Sequence, residues 1–193
     1  MTLGFVLNTM NQQLDPAPLG FRCLAPEDLP LMHRWLNAGE AARWYARRPY
    51  AYDEVAAEYS ANIEHKTKTA SYVILYGDAP IGYIQTYRVA DYPEYNRYVQ
   101  ADAQVAGLDL FIGEAAYLHR GLGRHVARKF LRDFVFSDPA IHSAVLGPEP
   151  ANRAAIRAYA KAGFHYWKTI HVRGEPEPEY LMRIERKDMV SER

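Results

Sequence analysis

The chain has 193 residues with 23 basic and 23 acidic side chains, so its formal net charge is zero. That length allows one domain with a sizeable core, and the balance argues against a general nucleic-acid binder, which would carry a basic excess. One cysteine, Cys23, excludes an internal disulfide and a cysteine-based zinc cluster.

No apolar run is long enough to span a membrane. The opening MTLGFVLNTMNQQ has neither the basic nor the apolar region of a signal peptide, so a cytoplasmic protein without membrane contact is expected. Residues 1–18 run into the breaker-rich LDPAPLG and read as an arm or edge strand before a main domain of residues 19–193. GFRCLA reads as a strand. In PEDLPLMHRWLN, Pro26 and acidic residues precede Leu29, Met32, Trp35 and Leu36 at helical spacing. YDEVAAEYSANIEHK reads as a helix with Asp53 as N-cap and Val55, Tyr59 and Ile63 on one face. ASYVILYGDAPIGYIQTYRV reads as two strands joined in a hairpin at Gly77 and Asp78. DYPEYNRY reads as a polar, aromatic loop, and VAGLDLFIG as a strand.

In the next helix, Val126, Ala127, Phe130, Leu131, Phe134 and Val135 form an apolar stripe that leaves Arg124, Arg128 and Arg132 outside. HSAVLG is a short buried strand. ANRAAIRAYAKAGF is a helix with Asn152 as its cap and Gly163 as its stop. FHYWKTIHV and EYLMRIER are strands around the turn-rich RGEPEPE. No internal repeat appears. Strands with helices between them predict a mixed α/β domain.

The stretch LHRGLGRHVARKFL, residues 118–131, places two glycines between basic side chains at a helix start. Backbone amides at a helix N-terminus attract anions, and glycines let a phosphate approach closely. RGLGRH lacks the Lys-Ser/Thr ending of a nucleotide P-loop and has too few glycines for a dinucleotide fingerprint. About thirty residues later comes N-x-x-A-x-x-x-Y-x-x-x-G-F, from Asn152 to Phe164.

This pair of motifs resembles the GNAT superfamily of N-acetyltransferases, over roughly residues 20–187. Within it, IGYIQTY, GLDLFIGEAAYLHRGLG and FSDPAIHSAVLGPEPANRAAIRAYAKAGF are similar to aminoglycoside 6'-N-acetyltransferases, and RWY at 43–45 sits where those enzymes carry tryptophan. The resemblance implies an α/β (α+β) fold, a mixed and mostly antiparallel splayed sheet flanked by helices, with acetyl-CoA in its V-shaped opening. The implied cofactor contacts are Phe111 and Ile112 of the strand, His119, Arg120, Gly121, Leu122, Gly123 and Arg124 of the turn, and Asn152 and Tyr159 of the second helix.

Asp109 is a carboxylate inside the apolar strand GLDLFI; it points away from Leu108 and Leu110, with Phe111 expected on the opposite face. It is either a structural carboxylate paired with an arginine or the anchor and general base for a substrate amine; the resemblance implies the second. Tyr159 is either a core aromatic or a proton donor to the departing thiolate. Asn152 is a helix cap, a cofactor contact, or both. Glu114 is either a solvated loop residue or part of the substrate pocket.

A polycationic substrate needs an acidic, hydroxyl-rich pocket. Candidates are Gln85 and Glu149, with Asp91, Glu94, Asp102, Glu175, Glu177 and Glu179 in nearby loops, each of which also reads as solvated surface. Trp44, Tyr45, Tyr87, Tyr92 and Tyr95 offer stacking faces for sugar rings. One departure stands out: LGPEPAN has Gly147 where the plasmid-borne relatives carry an aspartate, so the pocket wall is expected to hold less charge and more room, with Glu149 as substitute. Cys23 reads as a buried, inert thiol. The histidines show no metal spacing, and His119 and His125 read as helix-surface residues.

The resemblance therefore implies acetyl transfer from acetyl-CoA to the 6'-amine of an aminoglycoside, by a monomer or homodimer. A polyamine or siderophore hydroxylysine acyltransferase and a non-catalytic coenzyme A-binding module are the alternatives.

Overall fold

The computed structural model describes residues 13–46 and 48–190. The first twelve residues of the expected arm lie outside that range. Seven strands form one sheet: β1 (Leu19–Cys23), β2 (Ala70–Tyr76), β3 (Ala79–Arg88), β4 (Val105–Ile112), β5 (Ser143–Leu146), β6 (His165–Ile170) and β7 (Glu179–Glu185). Their order is β1-β2-β3-β4-β5-β7-β6. Every neighbouring pair is antiparallel except β4 and β5, which run parallel.

That parallel contact is short. It pairs Val105 with Ser143, Ala106 with Ala144 and Gly107 with Val145. β4 continues to Ile112, still paired to β3 as far as Gly82. From Leu108 onward the strand leaves β5, and the sheet splays open at its middle.

Among the described residues six α-helices accompany the sheet: α1 (Leu29–Leu36), α2 (Gly39–Ala41), α3 (Tyr52–Ile63), α4 (Pro93–Val99), α5 (Leu122–Phe130) and α6 (Arg153–Lys161). The stripe Val126, Ala127 and Phe130 of α5 packs with Ile74, Ile84, Leu108, Ala144 and Met182 on one face of the sheet. On the other face, Met32 and Trp35 of α1 and Val55 and Tyr59 of α3 enclose Tyr83 and Phe111. Farther along that face, Val99 of α4 meets Val105, Val145 and Leu181. Alternation along β3 and β4 assigns residues to the two faces.

Four expectations are corrected. DYPEYNRY is not a loop: Pro93 opens α4, where its missing N–H costs nothing, and Tyr95 and Val99 turn inward one helical turn apart. Asp53 is not the cap of α3. The helix starts at Tyr52, and the Ala51 N–H donates to Glu54 Oε2 at 2.8 Å. Phe111 lies on the face of Asp109, because residues two apart on a strand share a face and Phe111 packs with Tyr83. Cys23 is exposed, at the end of edge strand β1.

Candidate active site

The split between β4 and β5 opens into a cavity of about 380 Å³. β4 contributes Leu110, Phe111 and Ile112 to its wall. The turn before α5 contributes His119, Gly121, Leu122, Gly123 and Arg124. α6 contributes Asn152, Ala155, Ala158 and Tyr159, and Trp44 closes the cavity from the opposite side.

Local chemistry fixes the turn. Gly121 is the N-cap of α5 at φ +80°, a left-handed conformation that a side chain strains. His119 is also left-handed, at φ +58°. Among the described residues no capping side chain serves this N-terminus, and its first amides form an anion-binding end at the cavity wall. The Leu14 N–H donates to Arg120 O at 3.2 Å and the Gln13 side chain lies over Gly121, so the described end of the arm rests on the turn. Arg124 Nε donates to His125 Nε2 at 3.0 Å. Asn152 is the cap expected of it: its Oδ1 accepts from the Ala155 N–H at 3.0 Å.

Trp44 sits at the middle of a π turn, Ala42–Ala46. This wide turn aims Trp44 at the cavity while Tyr45 packs edge-on against Phe111, ring centroids 4.9 Å apart. Asn37 clamps the far end of the segment, donating to Tyr50 O at 3.1 Å and accepting from Tyr50 N at 2.9 Å.

Asp109 lies half-buried on the α1–α3 face, between Phe111 and Gly107 along β4. Gln85, its cross-strand neighbour, donates from Nε2 to Asp109 Oδ2 at 2.8 Å. Tyr83 Oη donates to Gln85 Oε1 at 2.6 Å, and Ser71 Oγ lies 2.7 Å from Tyr83 Oη. Asn62 Nδ2 donates to Ser71 Oγ at 3.2 Å. With the Ser71 hydroxyl donating to Tyr83, every bond from α3 runs towards the carboxylate, and this order sets the Gln85 amide with its N–H side on Asp109.

Burial raises the Asp109 pKa from the ordinary carboxylate value, and the Gln85 hydrogen bond opposes that rise. Burial, helped by the Asp109 charge, pushes the Tyr159 pKa up as well. The phenol thus keeps its proton at neutral pH, while the carboxylate is a stronger base than one in water. Tyr159 is also a core residue, packed near Phe164 with ring centroids 6.2 Å apart.

The aromatic wall beyond Asp109 is built from β3 and α4. The Tyr87 ring covers Gly107, where a Cβ would meet Tyr87 Cζ at 2.4 Å. Burial, followed by the charges of Asp109 and Glu179, pushes the Tyr87 pKa well up. Tyr95 Oη donates to Glu179 Oε2 at 2.7 Å. Tyr92 packs edge-on against Tyr87, ring centroids 5.1 Å apart, and its hydroxyl shares a hydrogen bond with Thr69.

The expected open wall at Gly147 is not found. A Cβ there would lie 2.4 Å from Glu179 Oε2 and 3.1 Å from Leu181 Cδ2. The β5–β7 register, with Leu146 opposite Met182, sets Glu179 on the face of Gly147, and its carboxylate fills the space. Glu149 sits half-buried between β5 and α6, where its carbonyl accepts from Asn152 N.

Other expected residues fall outside the cavity. The Arg120 guanidinium turns towards Ala116 O. Glu114 Oε1 accepts from Trp35 Nε1 at 2.9 Å and from Arg34, which ties the strand end to α1; those bonds hold its pKa down against burial. Asp102 accepts from Gln104 N and contacts His142, Glu94 pairs with Arg97, and Asp91, Glu175 and Glu177 are exposed. Cys23 is not in the wall.

Residues overlooked in the sequence are Glu40, Tyr117, Arg157 and Lys161, all lining the cavity. Ala154, Ala158 and Lys161 recur at helical spacing on α6 beside Arg157. That small-and-basic stripe was a readable sign of a groove for an anionic ligand. Among the described residues no group of histidine, cysteine and carboxylate side chains could hold a metal, and no helix is long and apolar enough to cross a membrane.

Comparison with known proteins agrees with this geometry. A family model described as an acetyltransferase (GNAT) domain matches residues 25–172. Aminoglycoside N(6')-acetyltransferase type 1 of Klebsiella pneumoniae is 29% identical over 152 residues, covering 77% of this chain and 75% of that protein. The structure of aminoglycoside acetyltransferase AAC(6')-Ib with coenzyme A and kanamycin superposes with a TM-score of 0.78 at 27% identity, covering 88% of this chain and 96% of that one. Spermidine N-acetyltransferase from Vibrio cholerae, solved with CoA and spermine, shares the fold at a TM-score of 0.70 and 20% identity, covering 90% of this chain and 98% of that one. The family match spans more than half of the chain, and the protein belongs to the GNAT acetyltransferase family.

Proposed function

We propose that this acetyltransferase moves the acetyl group of acetyl-CoA to the 6'-amine of an aminoglycoside, the reaction of an antibiotic-resistance enzyme. The observation that carries the reading is Asp109: a half-buried carboxylate, held by Gln85, whose charge reaches Tyr159. The aminoglycoside enzymes named above support the choice of substrate.

The cavity suits acetyl-CoA. The uncapped turn at Gly121–Arg124 would hold its pyrophosphate, with Arg157 and Lys161 adding positive charge, and the alanine face of α6 would flank the thin arm. Acetyl-CoA supplies the acetyl group as a thioester. Asp109 attracts the substrate ammonium and takes one of its protons on a carboxylate oxygen, which frees a nitrogen lone pair. The new N–C bond forms as the C–S bond breaks, and Tyr159 Oη gives its proton to the departing sulfur. The acylated nitrogen then gives up its second proton, which restores the Tyr159 phenol and leaves the neutral amide, and Asp109 returns its proton to solvent.

Transfer is direct in this reading, because among the described residues no cysteine, serine or threonine lines the cavity. The test is thiol release from acetyl-CoA against a panel of aminoglycosides and polyamines. The expected result is fast turnover with drugs carrying a 6'-amine, intersecting initial-rate patterns, and unchanged turnover in Cys23→Ala. Activity confined to polyamines or to a hydroxylysine would overturn the aminoglycoside assignment.

A further inference from the structure

We infer that Tyr83 is a positioning residue for the reaction: its hydroxyl, aimed by a hydrogen-bond chain that starts in the loop between α3 and β2, holds the Gln85 amide with its N–H side on Asp109. The inference rests on the reading that Asp109 is the base that receives the substrate amine.

The chain has one direction because both of its ends are fixed. At the far end the Thr69 N–H, a backbone group that only donates, reaches Thr67 Oγ1 at 3.2 Å. Thr67 passes its own hydrogen to Asn62 Oδ1 at 2.6 Å. Asn62 therefore presents its amino group to Ser71 Oγ, at 3.2 Å. Ser71 keeps its hydrogen for Tyr83 Oη, 2.7 Å away, and Tyr83 gives its hydrogen to Gln85 Oε1 at 2.6 Å. That leaves Gln85 Nε2 for Asp109 Oδ2, and an ionised carboxylate only accepts. A reversed middle link would bring two donors or two acceptors face to face.

Tyr83 is the link that locks the amide. Its ring is fully buried, with Tyr59 edge-on at 5.3 Å and Phe111 at 5.7 Å between centroids, so the hydroxyl has no path to water. Gln85 is only half-buried, and among the described residues its Oε1 accepts from Tyr83 alone. Without that donor the amide is free to turn its oxygen towards Asp109. The groups that feel the Asp109 charge are phenols: Tyr45 of the π turn, Tyr59 of α3, Tyr83 and Tyr87 of β3, Tyr95 of α4 and Tyr159 of α6. Burial pushes all of them above the ordinary phenol value, so none titrates in acid with the carboxylate. Glu58 of α3 and Glu179 of β7 act on some of the same tyrosines, so the test must follow Asp109 itself.

The test is a carbon NMR titration of the Asp109 carboxyl in the full chain, its signal identified by its loss in Asp109→Asn. This readout needs no substrate. Tyr83→Phe keeps the ring and removes only the hydroxyl. The Asp109 midpoint should rise by about half a pH unit or more. At neutral pH, kcat/KM for the amine should fall about two- to tenfold, with KM for acetyl-CoA unchanged. Because Tyr83 acts through Gln85, adding Tyr83→Phe to Gln85→Leu should move the midpoint no further. Ser71→Ala removes the donor to Tyr83 but leaves Gln85 its own, and should give a smaller shift in the same direction.

An Asp109 midpoint unchanged in Tyr83→Phe would overturn the inference, whatever happens to Tm. So would an equal shift from Tyr83→Phe with and without Gln85, since the hydroxyl would then act by another route. A wild type that acetylates polyamines but no aminoglycoside, with Asp109 responding as expected, would support the inference and sink the aminoglycoside assignment. A wild type inert toward every amine would overturn Asp109 as the base and, with it, the role of Tyr83.

Discussion

Gln85 Nε2 donates a hydrogen bond to Asp109 Oδ2 at 2.8 Å, at the end of a chain of donors that passes through Ser71 and Tyr83. Tyr83 is fully buried, so this chain is set by the fold.

Replacing Gln85 with Leu should therefore impair catalysis through Asp109. A hydrogen bond to a charged group is worth about 1.5–3 kcal/mol, so kcat/KM should fall roughly tenfold or more. The sign of the pH effect follows from the Gln85 bond, which holds the Asp109 pKa down. Without it, the acidic limb of the pH–rate profile should move to higher pH. A fall in rate with no displacement of that limb would mean that Gln85 acts on the substrate alone.

Asp109→Asn should abolish most turnover and yet stabilise the fold. Burial raises the Asp109 pKa above its unfolded value. The ionised group therefore costs native stability above the folded pKa, and that cost fades as pH falls through it. Thermal melts should give the variant a higher Tm than wild type at neutral pH, with the gap closing in acid. A lower Tm at neutral pH would make Asp109 a structural residue.

Tyr159→Phe should lower kcat by about 10²–10⁴-fold, the usual contribution of one positioned acid. The ring and its packing near Phe164 remain, so affinity for acetyl-CoA and Tm should hold. Turnover at the wild-type level would reduce Tyr159 to packing.

Gly121→Val should act on the cofactor. A β-branched residue at φ +80° is strained and must also displace the Gln13 side chain. KM for acetyl-CoA should rise far more than KM for the amine, and direct titration of coenzyme A should show the same loss. Undisturbed coenzyme A affinity would remove the turn from the binding site.

Features written in local sequence were readable before the fold was seen. The glycine turn at residues 121–124 and the Asn152 cap are contiguous signals whose backbone geometry depends on neighbours. Trp44 and Gln85 come from the resemblance; the structure sets Trp44 in the cavity wall and Gln85 against Asp109. What stayed hidden depends on pairing between distant segments. Glu179 looked like one acidic turn residue among several, because its meeting with Gly147 exists only in the β5–β7 register. Glu114 gave no sign of its attachment to Trp35, about eighty positions earlier, since that bond needs α1 to dock at the end of β4. The helix α4 escaped notice because its buried side carries tyrosines with polar tips, which blur the contrast on which periodicity depends.

The π turn at Ala42–Ala46 carries a consequence for how this enzyme could diverge. Such a turn holds one residue more than an α-helical turn of the same rise. Deleting a single residue would restore α-helical winding and remove the bulge on which Trp44 and Tyr45 sit. Trp44 would leave the cavity wall and Tyr45 its place against Phe111 in the same event, so the shape of the cavity in this lineage can shift by a change in chain length as readily as by exchange of a wall residue.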